Sequence, residues 1–110
     1  MVIDFEKMEW KAVDGFKGGV GITHLKKFEN DLGKIIMGRL EPGATIGLHT
    51  HETNSEIIYI ISGTADFIYD REPTETVTAG GCHYCPKGHS HSMINNGSED
   101  IVFFATVPEK

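Results

Sequence analysis

The hydrophobic positions of this chain fall into short runs, often alternating with polar residues, and turns rich in Gly, Pro or Asn separate them. Such runs are typical of β-strands, in which successive side chains point to opposite faces. Residues 1–13 fit helical and strand spacing equally well, and residues 71–75 are expected to form an exposed loop. The segments predicted as strands are 22–28, 34–40, 45–51, 56–61, 64–70, 76–79, 82–85, 89–94 and 101–107.

These strands, with no long helical pattern among them, predict an all-β protein. A length of 110 residues is enough for one hydrophobic core but not two, so a single domain is expected over residues 1–110. Its predicted architecture is a barrel or jelly roll whose interior is filled or holds a ligand. Residues 1–20 are expected to be an N-terminal extension that takes part in forming a dimer. The strand 101–107 is almost wholly apolar, which predicts burial on both of its faces.

Composition and charge exclude several classes of partner. The chain carries a net charge of −6 and has a pI of about 5.4, which argues against binding to nucleic acid or to anionic membranes. No apolar run approaches the roughly 18 residues needed to span a bilayer. The N-terminus has neither the basic region nor the apolar region of a secretory signal. A soluble cytoplasmic protein is therefore expected.

The stretch 43–63 carries the candidate chemistry. His49 and His51 are two residues apart, so on a strand both imidazoles would lie on one face, roughly 7 Å apart. Four polar residues follow, and an apolar run then begins at Glu56. This pattern predicts a hairpin with a four-residue loop that returns Glu56 to the side of His51. Two imidazoles and a carboxylate that converge would form a site for a divalent transition metal.

Strict alternation along this predicted hairpin places apolar residues on both of its faces. The face that carries the metal would also include Ile58 and Ile60. The outward face would present an apolar patch, which a second subunit or residues 1–13 of a neighbour would cover. A homodimer is therefore predicted. The residues of the predicted outward patch are Ile46, Leu48, Ile57, Tyr59 and Ile61.

Cys82 and Cys85 form a Cys-x-x-Cys pair, which is found in redox and zinc sites. If the segment is extended, the two Cα atoms lie roughly 10 Å apart on opposite faces, too far apart for a disulfide. Two small residues packed on a strand are therefore the favoured interpretation, and the redox role stays open.

Two spaced motifs resemble those of the cupin family, and with the segment between them they cover about half of the chain. Both match the family spacing without departure. The resemblance implies a double-stranded β-helix, a jelly-roll barrel built from β-strands. The first motif is formed by Gly43, His49, His51, Glu56 and Gly63, and the second by Gly80, Pro86, Gly88, His91 and Asn95.

The resemblance also implies four metal ligands: His49, His51, Glu56 and His91. The first three are the residues of the predicted hairpin, and His91 adds a ligand from a distant strand. One divalent transition metal is expected, and Zn, Fe, Mn, Ni and Co all suit this ligand set. The motif glycines are expected to occupy turns with positive φ, and Asn95 is expected to cap a turn.

Other polar residues could take part in the chemistry. His89 could share a face with His91 and act as an acid or base, the alternative being a histidine at the rim. The hydroxyl of Tyr69 could orient a substrate, the alternative being a plain core residue. His83 could line the pocket, and Arg39 is expected to point outward instead of clamping an anion. Interior positions are expected at Phe67, Tyr69, Met93 and one of Phe103 and Phe104.

Two classes of function follow from these features. The first is a metal-dependent enzyme that acts on a small oxygenated molecule, as an isomerase, lyase, decarboxylase or dioxygenase. The second is a module that binds or senses a small molecule without changing it. A shared fold does not decide between these functions.

Overall fold

The computed structural model of the protein describes residues 1–70 and 74–109, so most of the predicted loop 71–75 lies outside the described residues. Within these ranges the chain forms ten strands and two short 3-10 turns, Phe5–Lys7 and Phe16–Gly18. No helix of the described chain is long and apolar enough to cross a membrane. The strands are β1 (Lys11–Asp14), β2 (Ile22–Asn30), β3 (Gly33–Leu40), β4 (Thr45–Thr50), β5 (Glu56–Ser62), β6 (Thr64–Tyr69), β7 (Glu75–Thr78), β8 (Cys82–Cys85), β9 (Ser90–Ile94) and β10 (Ile101–Pro108).

The strands form two antiparallel sheets, which confirms the all-β jelly-roll prediction. One sheet has six strands in the order β1-β2-β3-β10-β5-β8, and the other has four in the order β4-β9-β6-β7. Within the described ranges, hydrogen bonds do not close the two sheets into a barrel. The expectation of a closed barrel is therefore wrong, because side-chain packing between facing sheets, not a continuous ladder, holds the layers together.

The hydrophobic core lies between the two sheets and contains side chains from both. Phe67 of β6 and Ile60 of β5 are fully buried, and Met93 and Phe103 are 2% exposed. These positions confirm Phe67, Met93 and Phe103 as interior residues. Burying such side chains contributes about 1.5–3 kcal/mol each, so the alternating pattern stabilises the stacked sheets.

Strand β10 is buried on one face and half-buried on the other, so the prediction of burial on both faces is wrong. Ile101 and Phe103 point into the core, whereas Phe104 points to the outer side of the six-stranded sheet. The ring of Phe5 covers Phe104 edge-on, with ring centroids 6.3 Å apart. The apolar sequence of β10 is the same whether a face packs in the core or is only partly covered by the N-terminal segment, so the sequence alone could not separate the two cases.

The predicted hairpin at residues 45–61 is also wrong. Strand β4 pairs with β9, whereas β5 pairs with β10 and β8 in the other sheet. Residues 51–55 therefore carry the chain from one sheet to the other instead of reversing it within a sheet. The polar residues of this segment are compatible with either connection, so the sequence could not separate them.

A β-bulge corrects the predicted faces of β4. The register of β4 against β9 shifts between Ile46 and His49. Ile46 is consequently 6% exposed and belongs to the core, while Leu48 is 60% exposed. Ile46 was expected on the outward patch because strict alternation was assumed. A bulge adds a residue to one strand, so Ile46 and His49 both reach the interior although they are three apart.

The N-terminal segment forms a 3-10 turn and then strand β1, which pairs with β2 at one edge of the six-stranded sheet. The ring of Trp10 lies 4.6 Å from Lys26 Nζ and 5.3 Å from Arg39 Cζ. Lys26 Nζ also donates a hydrogen bond to the carbonyl of Phe5 at 2.8 Å. Arg39 Nη1 donates to Asp100 Oδ2 at 2.9 Å, which confirms the outward position expected for this guanidinium.

The turns that close the two motifs have the predicted conformations. Asn95 is 1% exposed, and its Nδ2 donates to the carbonyls of Leu40 and Glu99 while its Oδ1 accepts the amide of Gly97. Asn95 therefore caps the turn after β9, as expected. The four motif glycines have positive φ: Gly43 at 79°, Gly63 at 88°, Gly80 at 92° and Gly88 at 90°.

Candidate metal centre

Four side chains converge between the two sheets. His49 lies near the end of β4, His51 just after it, His91 in β9 and Glu56 at the start of β5. One ligand atom from each lies within 4.8 Å of the others. His91 Nε2 is 2.9 Å from His51 Nε2 and 3.2 Å from His49 Nε2. Glu56 Oε1 is 2.9 Å from His91 Nε2 and 3.2 Å from His51 Nε2.

These separations suit donors around one cation. With bonds of about 2.0–2.2 Å, neighbouring ligand atoms are about 2.8–3.1 Å apart in an octahedron and about 3.3–3.6 Å apart in a tetrahedron. The four ligand atoms lie within 4.8 Å of one another, and four of their separations are 2.9 or 3.2 Å, so all four are close enough to bind one ion. Four protein ligands on a six-coordinate ion would leave two positions for a ligand or water.

Each imidazole is oriented through its second nitrogen. When Nδ1 carries the proton and donates it elsewhere, the lone pair of Nε2 is left for a metal. The Nε2 atoms of His51 and His91 face the carboxylate of Glu56, and His49 Nε2 faces His91 Nε2. The chemistry of this donor set fits a divalent metal. The three Nδ1 contacts are His49 to the Gly47 carbonyl at 2.7 Å, His51 to Asn54 Oδ1 at 2.6 Å and His91 to His83 Nε2 at 3.1 Å.

The pKa values of the site match this ligand role in part. Burial raises the pKa of Glu56, but hydrogen bonds from His51 and His91 outweigh burial and lower that pKa to about 2. Glu56 is therefore ionised at neutral pH. Burial lowers the pKa of His49, which favours its neutral form. The hydrogen bond to Glu56 raises the pKa of His51, so a proton competes with a metal at that ring.

His83 lies behind His91 and was expected to line the pocket. It is 2% exposed, its ring stacks on Phe67 with centroids 3.9 Å apart, and it lies edge to edge with His91, with centroids 5.2 Å apart. Its Nδ1 donates to Glu75 Oε1 at 2.9 Å, and burial lowers its pKa. His83 does not border the cavity described below, so the structure places it as a support for His91 instead of a wall residue.

His89 and Tyr69 are brought together, but away from the four ligands. Their rings stack with centroids 5.4 Å apart, and His89 Nδ1 donates to Asp70 Oδ2 at 2.8 Å. The side chain of His89 is 43% exposed. Neither residue borders the cavity next to the ligands. The catalytic roles expected for His89 and Tyr69 stay predictions.

A cavity of about 350 Å³ opens beside the ligands, a volume within the range of small-molecule sites. Its deep wall is apolar and includes Ile36, Met93 and Phe103. Sequence reasoning missed the polar rim, because nothing in the pattern links its residues to the motifs. The rim residues are Lys17, Lys27, Lys34, Thr50, Glu52, Thr53 and Asn54.

Cys82 and Cys85 are both free, and they differ in exposure. Cys82 is exposed and Cys85 is fully buried, as expected for opposite faces of β8. Burial raises the pKa of Cys85 to about 11, so its thiol stays protonated at neutral pH. These properties favour a packing role over a redox or zinc pair.

A sequence model of the cupin domain family matches residues 36–107, which include all four ligands. The chain belongs to the cupin family. An oxalate-binding protein from Thermotoga maritima is 35% identical to this cupin over 96 residues, which cover 84% of this chain and 78% of that protein.

Solved cupin structures resemble the whole chain. A predicted oxalate decarboxylase from Thermotoga maritima superposes with a TM-score of 0.92 at 26% identity, over 100% of both chains. KdgF from a Halomonas species superposes with a TM-score of 0.76 at 16% identity, over 96% of this chain and 90% of that one. The second likeness concerns the fold alone. The fold of the whole chain is thus shared with proteins that differ widely from it in sequence.

Proposed function

We propose that this cupin binds one divalent transition metal through His49, His51, Glu56 and His91, and through it a small oxygenated acid of the oxalate class. The observation that carries the proposal is the convergence of three Nε2 atoms and one carboxylate oxygen beside a partly open cavity. The two Thermotoga maritima relatives, described as oxalate-binding and as a predicted oxalate decarboxylase, support the ligand class.

Different residues would bind the metal, exclude water and orient the ligating rings. A divalent ion at this site would attract and polarise the oxygens of the bound acid. The apolar wall, including Ile36, Met93 and Phe103, excludes water and strengthens charge interactions inside the cavity. Asn54 and His83 hold the rings of His51 and His91 in place. Three imidazoles and one carboxylate suit Zn, Fe, Mn, Ni or Co, and a six-coordinate ion would keep two positions for the oxygens of the acid.

Metal content and ligand binding test this proposal. Protein purified without a chelating resin and reconstituted with Mn²⁺ should hold about one ion per chain, and calorimetry should then detect oxalate binding. His91→Ala should lose both the ion and oxalate. His24→Ala is the matched control, because His24 pairs with Glu41 and is not among the four ligands. If the reconstituted protein binds the ion but shows no calorimetric binding of oxalate, the proposed class of ligand is contradicted.

Metal-dependent catalysis on such an acid, by an isomerase, lyase, decarboxylase or dioxygenase route, is the second candidate function. It is favoured by Glu52 and the rim lysines, which border the cavity and can exchange protons with a bound molecule. Incubating the reconstituted protein with oxalate, keto acids and sugar acids separates the candidates. Recovery of the acid unchanged supports binding alone, whereas products that require the metal support an enzyme.

A homodimer is proposed from the outer face of the six-stranded sheet. Ile57, Tyr59, Ile61 and Tyr84 are 38%, 45%, 43% and 56% exposed there. Such an apolar surface suits a second copy of the chain. Light scattering at micromolar concentration should give twice the chain mass, and Tyr59→Glu should give a folded monomer. A monomeric wild-type protein would contradict the proposal. The cytoplasmic location expected from the sequence stays a prediction.

A further inference from the structure

The turn formed by residues 15–21 carries Lys17 to the rim of the cavity. The turn is closed by a hydrogen bond from the amide of Gly15 to the carbonyl of Gly21 at 3.0 Å. Phe16 packs against the hydrophobic core, which anchors the turn. Lys17 itself has φ 57°, a left-handed conformation that is uncommon for a residue with a side chain. Such a conformation persists only where the surroundings hold it.

The turn is seated directly on β4, the strand that leads to two of the metal ligands. The amide of Thr45 donates to the carbonyl of Val20 at 2.8 Å, and the amide of Val20 donates to Thr45 Oγ1 at 3.0 Å. A Cβ on Gly19 would lie 2.1 Å from the Thr45 carbonyl oxygen, and a Cβ on Gly47 would lie 2.2 Å from the Lys17 carbonyl oxygen. Two glycines therefore permit an approach that fixes Lys17 beside the site.

Lys17 differs from the other lysines at the rim in its charge partners. Lys27 Nζ and Lys34 Nζ lie 3.6 and 3.8 Å from the carboxylate of Glu29. Within residues 1–70 and 74–109, no carboxylate lies within ion-pair distance of Lys17. Its Nζ lies 5.6 Å from the ring centroid of Phe16. Lys17 is thus a rim cation whose charge is available to a ligand.

The charge of the site indicates which ligand needs that cation. A divalent metal and the Glu56 carboxylate together carry a net charge of +1. A monoanionic ligand brings this sum to zero, whereas a dianion leaves one negative charge beside an apolar wall. An uncompensated charge in such surroundings is unfavourable, and one nearby ammonium group compensates it.

We propose that Lys17 pairs with the second negative charge of a dianionic ligand and makes the site select dianions over monoanions. This inference rests on the proposed metal-dependent binding of a small acid. Lys17 precedes residues 36–107, the part matched by the cupin family model, so the selectivity comes from the N-terminal segment. Residues 15–21 would thereby have a ligand-binding role in addition to covering the core.

Oxalate and oxamate test the inference, because they have nearly the same shape but carry two charges and one. Calorimetry on Mn²⁺-reconstituted protein should show that Lys17→Gln weakens oxalate binding about 10-fold, as expected for one partly exposed charged hydrogen bond. Oxamate binding should change less than about 3-fold, and Mn²⁺ affinity should be unchanged. Lys17→Arg keeps the charge and should retain most of the preference for oxalate.

Lys11→Gln is the matched control, because Lys11 is exposed on β1 and does not border the cavity, and it should lower oxalate affinity less than about 3-fold. Gly19→Ala keeps Lys17 but displaces its turn from β4, so it should lower the melting temperature and also reproduce the loss of oxalate binding relative to oxamate binding. Equal loss of oxalate and oxamate in Lys17→Gln, or no loss of either, would overturn the inference. Failure of the wild-type protein to bind either acid while it binds Mn²⁺ would instead refute the proposed function, and this inference with it.

Discussion

His83 Nε2 lies 3.1 Å from His91 Nδ1, and the planes of the two rings differ by only 18°, as an in-plane hydrogen bond between them requires. His83 in turn donates from Nδ1 to Glu75, whose side chain is 49% exposed. Because Nδ1 of His83 carries the proton, its Nε2 accepts the proton of His91 Nδ1. A chain of a carboxylate and two imidazoles thus runs from the surface to a candidate metal ligand and fixes the orientation of His91.

Replacing His83 should weaken metal binding although His83 is not a ligand. His83→Phe keeps an aromatic ring against Phe67 but leaves His91 Nδ1 without its acceptor. We expect Mn²⁺ affinity to fall about 10–100-fold, the usual effect of losing such a supporting hydrogen bond. His83→Gln retains an acceptor and should lose less. Calorimetric titration of all three proteins provides the measurement, and equal affinities would show that His91 needs no support.

Asn54 should play the same part for His51. Asn54→Ala removes the oxygen that accepts the His51 Nδ1 proton at 2.6 Å, so Mn²⁺ affinity should fall about 10-fold. Asn54→Asp keeps an acceptor in the same place and should preserve affinity. Competition with a chromophoric chelator measures both changes. If Asn54→Asp weakened binding as much as Asn54→Ala, the hydrogen bond would not be the cause.

The metal-free protein should lose stability in acid partly through Glu56. Its pKa is lowered from 4.5 to about 2 in the folded state, so its contribution is present above about pH 4.5 and is lost as the pH falls through 2. A shift of this size corresponds to about 3 kcal/mol. Urea unfolding of the chelator-treated protein between pH 5 and pH 2 should therefore show a steeper fall than the same series for Glu56→Gln. Parallel curves would contradict the lowered pKa.

The bulge in β4 can be tested through Ile46 and Leu48. Strict alternation would place Ile46 and Leu48 together on the exposed face of β4. Instead Ile46 is 6% exposed and Leu48 is 60% exposed. Ile46→Ala should lower the free energy of unfolding by about 2–4 kcal/mol. Leu48→Ala should lower it by less than about 1 kcal/mol, because its side chain is largely exposed. Similar losses of unfolding free energy in the two variants would indicate that both side chains have the same environment, which would argue against the bulge.

Much of the site could be predicted because its residues lie close together in sequence. His49, His51 and Glu56 are so close in sequence that a hairpin and a crossing between sheets would both bring their side chains together. The resemblance to the cupin family added His91. The motif glycines and Asn95 followed from turn chemistry. These features depend on local sequence, which a reader of the chain can see directly.

The sheet that each strand joins could not be predicted, because it depends on contacts between distant residues. Glu56 reaches His51 across the gap between two sheets and not across a hairpin, yet the local pattern is the same. The bulge at Ile46 adds a residue without a sequence signal that separates it from regular alternation. Glu75 and Asn54 were missed because each contacts a histidine that only the fold brings to it. Lys17 was missed because only the fold brings its turn to the cavity.

Binding of one cation by four side chains from both sheets is tested most directly by anomalous diffraction from crystals grown with Mn²⁺. We expect a single strong anomalous peak about 2.0–2.2 Å from His49 Nε2, His51 Nε2, His91 Nε2 and a Glu56 carboxylate oxygen. No peak among these four atoms in protein saturated with Mn²⁺, or a peak bound elsewhere on the chain, would contradict it.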